Sequence, residues 1–138
     1  MKNITVIGSG TMGNGIAHVF AQNGYPVNLI DISSEALEKG IATITRNLDR
    51  MIAKDSISES QKTSTLKHIS TTTNLSEGVQ KADLVIEAAS ENIDVKLNIF
   101  KELDKNCGAD TILATNTSSI SITQIAAVTN RPEKVIGM

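Results

Sequence analysis

Ile4-Thr5-Val6-Ile7-Gly8-Ser9-Gly10-Thr11-Met12-Gly13 is the stretch whose reading decides the fold. Its first four residues form an apolar strand pattern. Three glycines at G-x-G-x-x-G spacing then lead into a segment with helical spacing through Met12, Ile16, Val19 and Phe20. A second short apolar run, Val27-Asn28-Leu29-Ile30, completes a β-α-β unit, with Gly24 past the helix end and Pro26 blocking its continuation. In such a turn the first glycine permits the tight bend. The second lets the backbone approach a pyrophosphate, and the third allows close packing of helix on strand. The free N–H groups and dipole at the helix start favour an anion there.

Downstream, Ser33 or Ser34 caps a long amphipathic segment carrying Leu37, Ile41, Ile44, Leu48 and Ile52. Ser58-Glu59-Ser60-Gln61 is a capping-box pattern opening another helix to about Lys67, so a helical hairpin over about residues 34–67 elaborates the basic unit. His68 to Thr72 reads as a short strand, followed by a polar turn and one helical turn around Ser76 to Gln80. Leu84-Val85-Ile86-Glu87-Ala88 is near-continuously apolar, the pattern of a central parallel strand covered on both faces. Val95, Leu97, Ile99, Phe100 and Leu103 give a helix and Thr111 to Ala114 a strand. Ser121 to Val128 gives a further helix, and Lys134 to Met138 begins a strand. The alternation predicts one α/β domain over residues 1–138, a doubly wound Rossmann fold with a mostly parallel sheet and the inserted hairpin.

The composition fits a folded chain. Of 138 residues, 40% are apolar and 20% charged, with a net charge of −2, which excludes the disordered class and gives no basic footprint for nucleic acid. No export signal is read at the amino terminus, and the single cysteine, Cys107, is expected to be a bystander. A cytoplasmic location, no membrane partner and no metal site are the corresponding expectations.

Asp31 ends the second strand where a carboxylate can accept hydrogen bonds from an adenosine ribose. It would repel the 2′-phosphate of NADP, and no Arg or Lys follows it in Ile32-Ser33-Ser34, so NAD is the favoured cofactor. A methyltransferase using S-adenosylmethionine shares the glycine turn and the acid. The later loops separate the two: Glu87-Ala88-Ala89-Ser90-Glu91-Asn92 and Asn116-Thr117-Ser118-Ser119 both leave the carboxyl ends of strands, where they would bracket a nicotinamide.

Together with Val6 to Ala17, these two loops and Lys96 resemble the 3-hydroxyacyl-CoA dehydrogenase family, nearest to its short-chain 3-hydroxybutyryl-CoA branch. The resemblance implies hydride transfer between NAD(H) and the C3 hydroxyl or ketone of an acyl-CoA. It also implies a second, all-helical domain through which the enzyme forms homo-oligomers. Carried over by motif, Gly8, Gly10, Thr11, Met12 and Gly13 cradle the pyrophosphate and Asp31 holds the ribose. Ala88, Glu91 and Lys96 serve the nicotinamide side, while Ser118 bonds the substrate's 3-oxygen with Asn116 beside it. For Lys96 the competing reading is a solvated surface charge.

The family's general base is a histidine beyond a stretch like Val135 to Met138, so neither His18 nor His68 fits, and the chain is expected to stop short of a complete active site and to be inactive alone. The hairpin's Lys39, Arg46, Arg50, Lys54, Lys62 and Lys67 are expected to help hold CoA phosphates. Two alternatives stay open: a nucleotide-sensing or structural module without catalysis, and a dehydrogenase of small free hydroxy acids.

Overall fold

The computed structural model describes residues 2–116 and 122–138. Strand β1 (Ile4–Ile7), helix α1 (Thr11–Gln22) and strand β2 (Val27–Ile30) make the opening unit. They are followed by α2 (Ser34–Ala53), α3 (Glu59–Lys67), β3 (Ile69–Thr72), α4 (Leu75–Gly78) and β4 (Leu84–Glu87). Helix α5 (Ile93–Asn106), β5 (Ile112–Thr115), α6 (Ile122–Ala126) and, after a 3-10 turn at Pro132–Lys134, β6 (Val135–Gly137) complete the described elements. All strand pairs are parallel, in the order β3-β2-β1-β4-β5-β6. The chain therefore grows the sheet from β1 in one direction and then returns to grow it in the other. That reversal opens a crevice at the carboxyl ends of β1 and β4, the place where doubly wound sheets bind ligands.

Strand alternation sorts the core into two layers. Ile4, Val6, Leu29, Leu84, Ile86 and Ala114 face α1 and α2, meeting Ala17, Ala21, Ile44 and Leu48. Ile7, Ile30, Val85 and Leu113 face the other way, against Val79, Phe100, Leu103 and Ile125 from the α4, α5 and α6 side. Helices cover both faces, and β4 is buried along its whole length, as its unbroken apolar run requires. Each fully buried Leu, Ile or Phe contributes about 1.5–3 kcal/mol relative to exposure, so these two layers carry most of the folding drive.

Helix α1 departs from the expected pattern. Met12 and Val19, placed on its apolar stripe by spacing, are 57% and 61% exposed, while Gly13, Asn14, Ala17 and Ala21 are buried. The cause is distance: a Cβ added to Gly13 would lie 1.6 Å from the Gly8 carbonyl oxygen, so the helix docks against backbone and only small residues fit beneath it. Ile16 and Phe20 pack at its flank, and Phe20 meets Tyr25 edge to face at 5.7 Å.

The hairpin forms as the caps predict. Ser33 accepts from the Ala36 N–H, and Ser58 and Gln61 exchange both bonds of a capping box. Lys62 then reaches from α3 to Asp49 on α2 at 2.6 Å. Among the described residues, no helix is long and apolar enough to cross a membrane.

Candidate functional site

Five α-helices have a described capping residue. In four of them, α2 to α5, a side chain of Ser33, Ser58, Asn74 or Asn92 accepts a first-turn N–H; α1 begins at Gly10 with no side-chain cap and no acid in its first turn. The first bond inside α1 runs from the Asn14 N–H to the Gly10 carbonyl at 2.9 Å. The N–H groups of Thr11, Met12 and Gly13 are thus those a helix leaves without an internal acceptor.

The three glycines of the turn serve different ends. Gly8 has φ +100°, and a Cβ there would lie 2.7 Å from the Ala88 carbonyl oxygen; Gly13 is pressed on Gly8 as described. A Cβ at Gly10 would meet nothing within 4 Å. The protein's own packing demands the first and third glycines, whereas the second opens on free space in front of an uncapped helix start.

Asp31 stands beside this space, one residue past β2. Its Oδ2 accepts from the Ser9 N–H at 3.0 Å and the Ser9 hydroxyl at 2.8 Å, and its Oδ1 accepts from the Ser33 N–H at 3.3 Å. Burial works to raise the carboxyl's pKa, but the donors of Ser9, Ser33 and Ile32 together outweigh it and hold the group below its ordinary 3.8. The carboxylate is therefore charged at neutral pH and fixed against the glycine turn, at a position only partly buried. Next to it lies a cleft of about 270 Å³ walled by Ile7, Ile30, Leu75, Val95 and Ile99, with Gly8 and Ala89 also contributing. Ile32, 97% exposed, lines it too.

At the end of β4 the chemistry turns inward. Glu87 and Lys96 are both fully buried and paired at 2.5 Å. The same Glu87 oxygen, Oε1, accepts from the Thr115 hydroxyl at 2.9 Å, while Oε2 accepts from the Ala89 N–H at 2.8 Å and the Ser90 N–H at 3.3 Å. Alternation explains the meeting: Glu87 and Thr115 are register partners at the ends of β4 and β5, on the face that α5 covers. Lys96 extends the buried stripe of α5 by one turn from Phe100 and Leu103.

The structure brings Gly8, Gly10, Thr11, Met12, Gly13, Asp31, Ala88 and Asn116 to the carboxyl ends of the sheet. The Ala88 N–H bonds the Ile7 carbonyl at 2.8 Å, and the Asn116 N–H bonds the Glu87 carbonyl at 2.9 Å. Glu91 is exposed in the loop between β4 and α5. Lys96 lies beneath this surface rather than on it, its Nζ taken up by Glu87, which corrects both the reading of a solvated charge and the expectation of a direct contact at the nicotinamide side. Ser118 and the Ser121 helix start lie outside the described residues. His18 pairs with Gln22 at 2.9 Å and His68 with the Ser64 carbonyl at 2.7 Å, neither in the site. Burial pushes the Cys107 thiol up to about 11.

Sequence reasoning missed Ser9, Glu87 and Thr115. A signal for Glu87 did exist, since a carboxylate closing an otherwise apolar strand needs a partner, and Lys96 sits one turn before Phe100.

Residues 3–138 match the family model described as 3-hydroxyacyl-CoA dehydrogenase, NAD binding domain. The chain is 47% identical over 135 residues to a 3-hydroxybutyryl-CoA dehydrogenase of Clostridioides difficile, covering 98% of this chain and 48% of that protein. It is 46% identical over 138 residues to a probable 3-hydroxybutyryl-CoA dehydrogenase of Bacillus subtilis, covering 100% of this chain and 48% of the relative. The crystal structure of (S)-3-hydroxybutyryl-CoA dehydrogenase from Ralstonia eutropha superposes with a TM-score of 0.97 at 46% identity, over 100% of this chain and 48% of that one. The chain spans about half the length of the relatives it matches.

Proposed function

Because this chain belongs to the NAD-binding domain family of the 3-hydroxyacyl-CoA dehydrogenases, we propose that it is the cofactor-holding part of an enzyme acting on a short 3-hydroxyacyl-CoA, 3-hydroxybutyryl-CoA above all. The observation that carries this reading is the uncapped start of α1 opening beside an ionised, hydrogen-bonded Asp31. The residues fit the group. The N–H groups of Thr11, Met12 and Gly13 would hold a pyrophosphate over Gly10. Asp31 would accept from an adenosine ribose while repelling a 2′-phosphate, and the apolar cleft beside it has room for a flat base.

When bound, NAD supplies the hydride acceptor for the substrate's C3. This chain's part is to hold and orient: Ala88 and Glu91 would line the nicotinamide side, and Asn116 with Ser118 would steady the 3-oxygen. The base would come from a few residues beyond residue 138, past the strand at Val135–Gly137, and a further helical domain would join subunits of a cytoplasmic homo-oligomer. With Lys62 committed to Asp49, the CoA phosphates would fall to the hairpin's other cations, Lys39, Arg46, Arg50, Lys54 and Lys67.

Calorimetry of the chain with NAD, NADP and S-adenosylmethionine tests the reading. NAD is expected to bind more tightly than NADP, and Asp31→Ala to narrow the gap by weakening NAD. Equal or tighter NADP binding would remove the role given to Asp31, and tight S-adenosylmethionine binding would overturn the class. The 138 residues alone should not reduce acetoacetyl-CoA with NADH; turnover at an intact relative's rate would show that no base is missing.

A further inference from the structure

We propose that Glu87, through Lys96 and Thr115, is the positioning residue for the nicotinamide side of this site, setting where the backbone of residues 88–90 and the end of β5 stand. The inference rests on the NAD-binding reading above.

Glu87 is not itself a base or a ligand. Two donors reach each of its oxygens, Lys96 Nζ and the Thr115 hydroxyl on Oε1 and the Ala89 and Ser90 N–H groups on Oε2. A carboxylate offers about four lone-pair sites, so none remains for a cofactor or substrate atom. What it controls is backbone. Just past β4 two successive N–H groups, those of Ala89 and Ser90, turn back onto the single oxygen Oε2, which accepts from both. From its main chain the same residue accepts the Asn116 N–H at 2.9 Å, so one residue ties both walls of the slot between β4 and β5.

Stability alone does not require this arrangement. Replacing a buried ion pair by apolar residues of similar size is often neutral or stabilising. Such a pair would lack acceptors for Ala89 and Ser90, and the loop beside the nicotinamide would lose its fixed position. Lys96 makes a fully charged acceptor tolerable in a dry site, and Thr115 transmits the position to β5. A shift of the order of 1 Å in a supporting group can cost about a hundredfold in rate, so a device of this kind has functional weight.

The test separates the nicotinamide half of the cofactor from the rest. Calorimetry of the chain with NADH and with ADP-ribose gives the affinity that the nicotinamide half adds. It is compared in wild type, Glu87→Leu/Lys96→Met and Glu87→Gln/Lys96→Met. Both double variants remove the charges together, and only the glutamine keeps an acceptor for the loop amides. ADP-ribose affinity should stay within about twofold throughout. The NADH advantage should fall about fivefold or more in the leucine variant, the weight of one hydrogen bond, and stay within about twofold of wild type in the glutamine variant. An unchanged advantage in the leucine variant, or an equal loss in both, overturns the proposal while leaving NAD binding intact. Wild type binding neither ligand would instead remove the NAD reading and the inference with it. Should the leucine variant not melt cooperatively, Thr115→Val decides: the NADH advantage should drop about fourfold at constant ADP-ribose affinity, and a change within about twofold overturns the role.

Discussion

Asp31 and Glu87 flank β1 on its two sides, at the ends of β2 and β4, and their carboxylates do opposite work. Ile30 and Glu87 both stand level with Ile7 in the sheet, so Asp31 lies one residue further along its strand than Glu87 does along its own. Since side chains alternate, that single residue moves the acid off the face covered by α5 and out to the rim of the crevice. Asp31 stays half-buried at the rim of the crevice, held by Ser9 and Ser33. Glu87 is closed in completely and consumed by the protein. A strand-end carboxylate is therefore not a binding group by type. Its register decides whether it meets a ligand or the backbone.

The largest expected effect is on the buried side. Glu87→Ala leaves the Lys96 ammonium without its partner in the core, which should cost about 3–5 kcal/mol in urea denaturation. Asp31→Ala should cost about 0.5–1.5 kcal/mol in the same measurement, the worth of an ordinary hydrogen bond. Equal losses would break the contrast between the two acids.

For cofactor affinity the order reverses between the sites. Removing a charged acceptor from the ribose should weaken NAD by about 1.5–3 kcal/mol, more than tenfold, in Asp31→Ala. Calorimetry should find NADP affected less, because a repulsion disappears along with the hydrogen bond. A larger loss for NADP than for NAD would sink the assignment.

The pH dependence sharpens the picture of Asp31. Its folded pKa lies below its unfolded value, so its ionisation stabilises the fold fully above the unfolded pKa of about 4. That contribution is lost as pH falls through the depressed folded value. The stability difference between wild type and Asp31→Asn should hold from pH 7 to about pH 5 and shrink towards pH 3. A difference that grows on acidification would mean that the Ser9 bonds do not favour the charged form.

Cys107 supplies the smallest and cleanest contrast, because burial there is not outweighed by donors as it is at Asp31. With the thiol pushed up to about 11, iodoacetamide labelling of the folded chain should be slow at pH 8 and keep rising well past pH 9. A plateau at pH 9 would show an ordinary thiol.

The glycine turn and Asp31 were legible because their signals are local. G-x-G-x-x-G between a strand and a helix fixes backbone geometry within six residues, and an acid just past β2 is placed by the same short unit. The caps at Ser33 and Ser58 were legible for the same reason, each acting over three residues. The buried run at 84–87 announced a central strand because burial on both faces removes any polar alternation. Met12 and Val19 were misplaced because periodicity records which residues are apolar, not how closely a helix approaches the sheet.

The sequence by itself determined the α/β alternation, the glycine turn between β1 and α1 and the place of Asp31 just past β2, all consequences of chain geometry over short spans. Only the tertiary structure decided that Lys96 lies in the core, that Glu87 spends its acceptors on Ala89, Ser90 and Thr115, and that Ser9 fixes Asp31. The Lys96, Ser9 and Thr115 contacts join residues from 9 to 28 positions apart across different elements. Their existence depends on which strands become neighbours and in what register, and that is settled by packing the whole sheet rather than by any one segment.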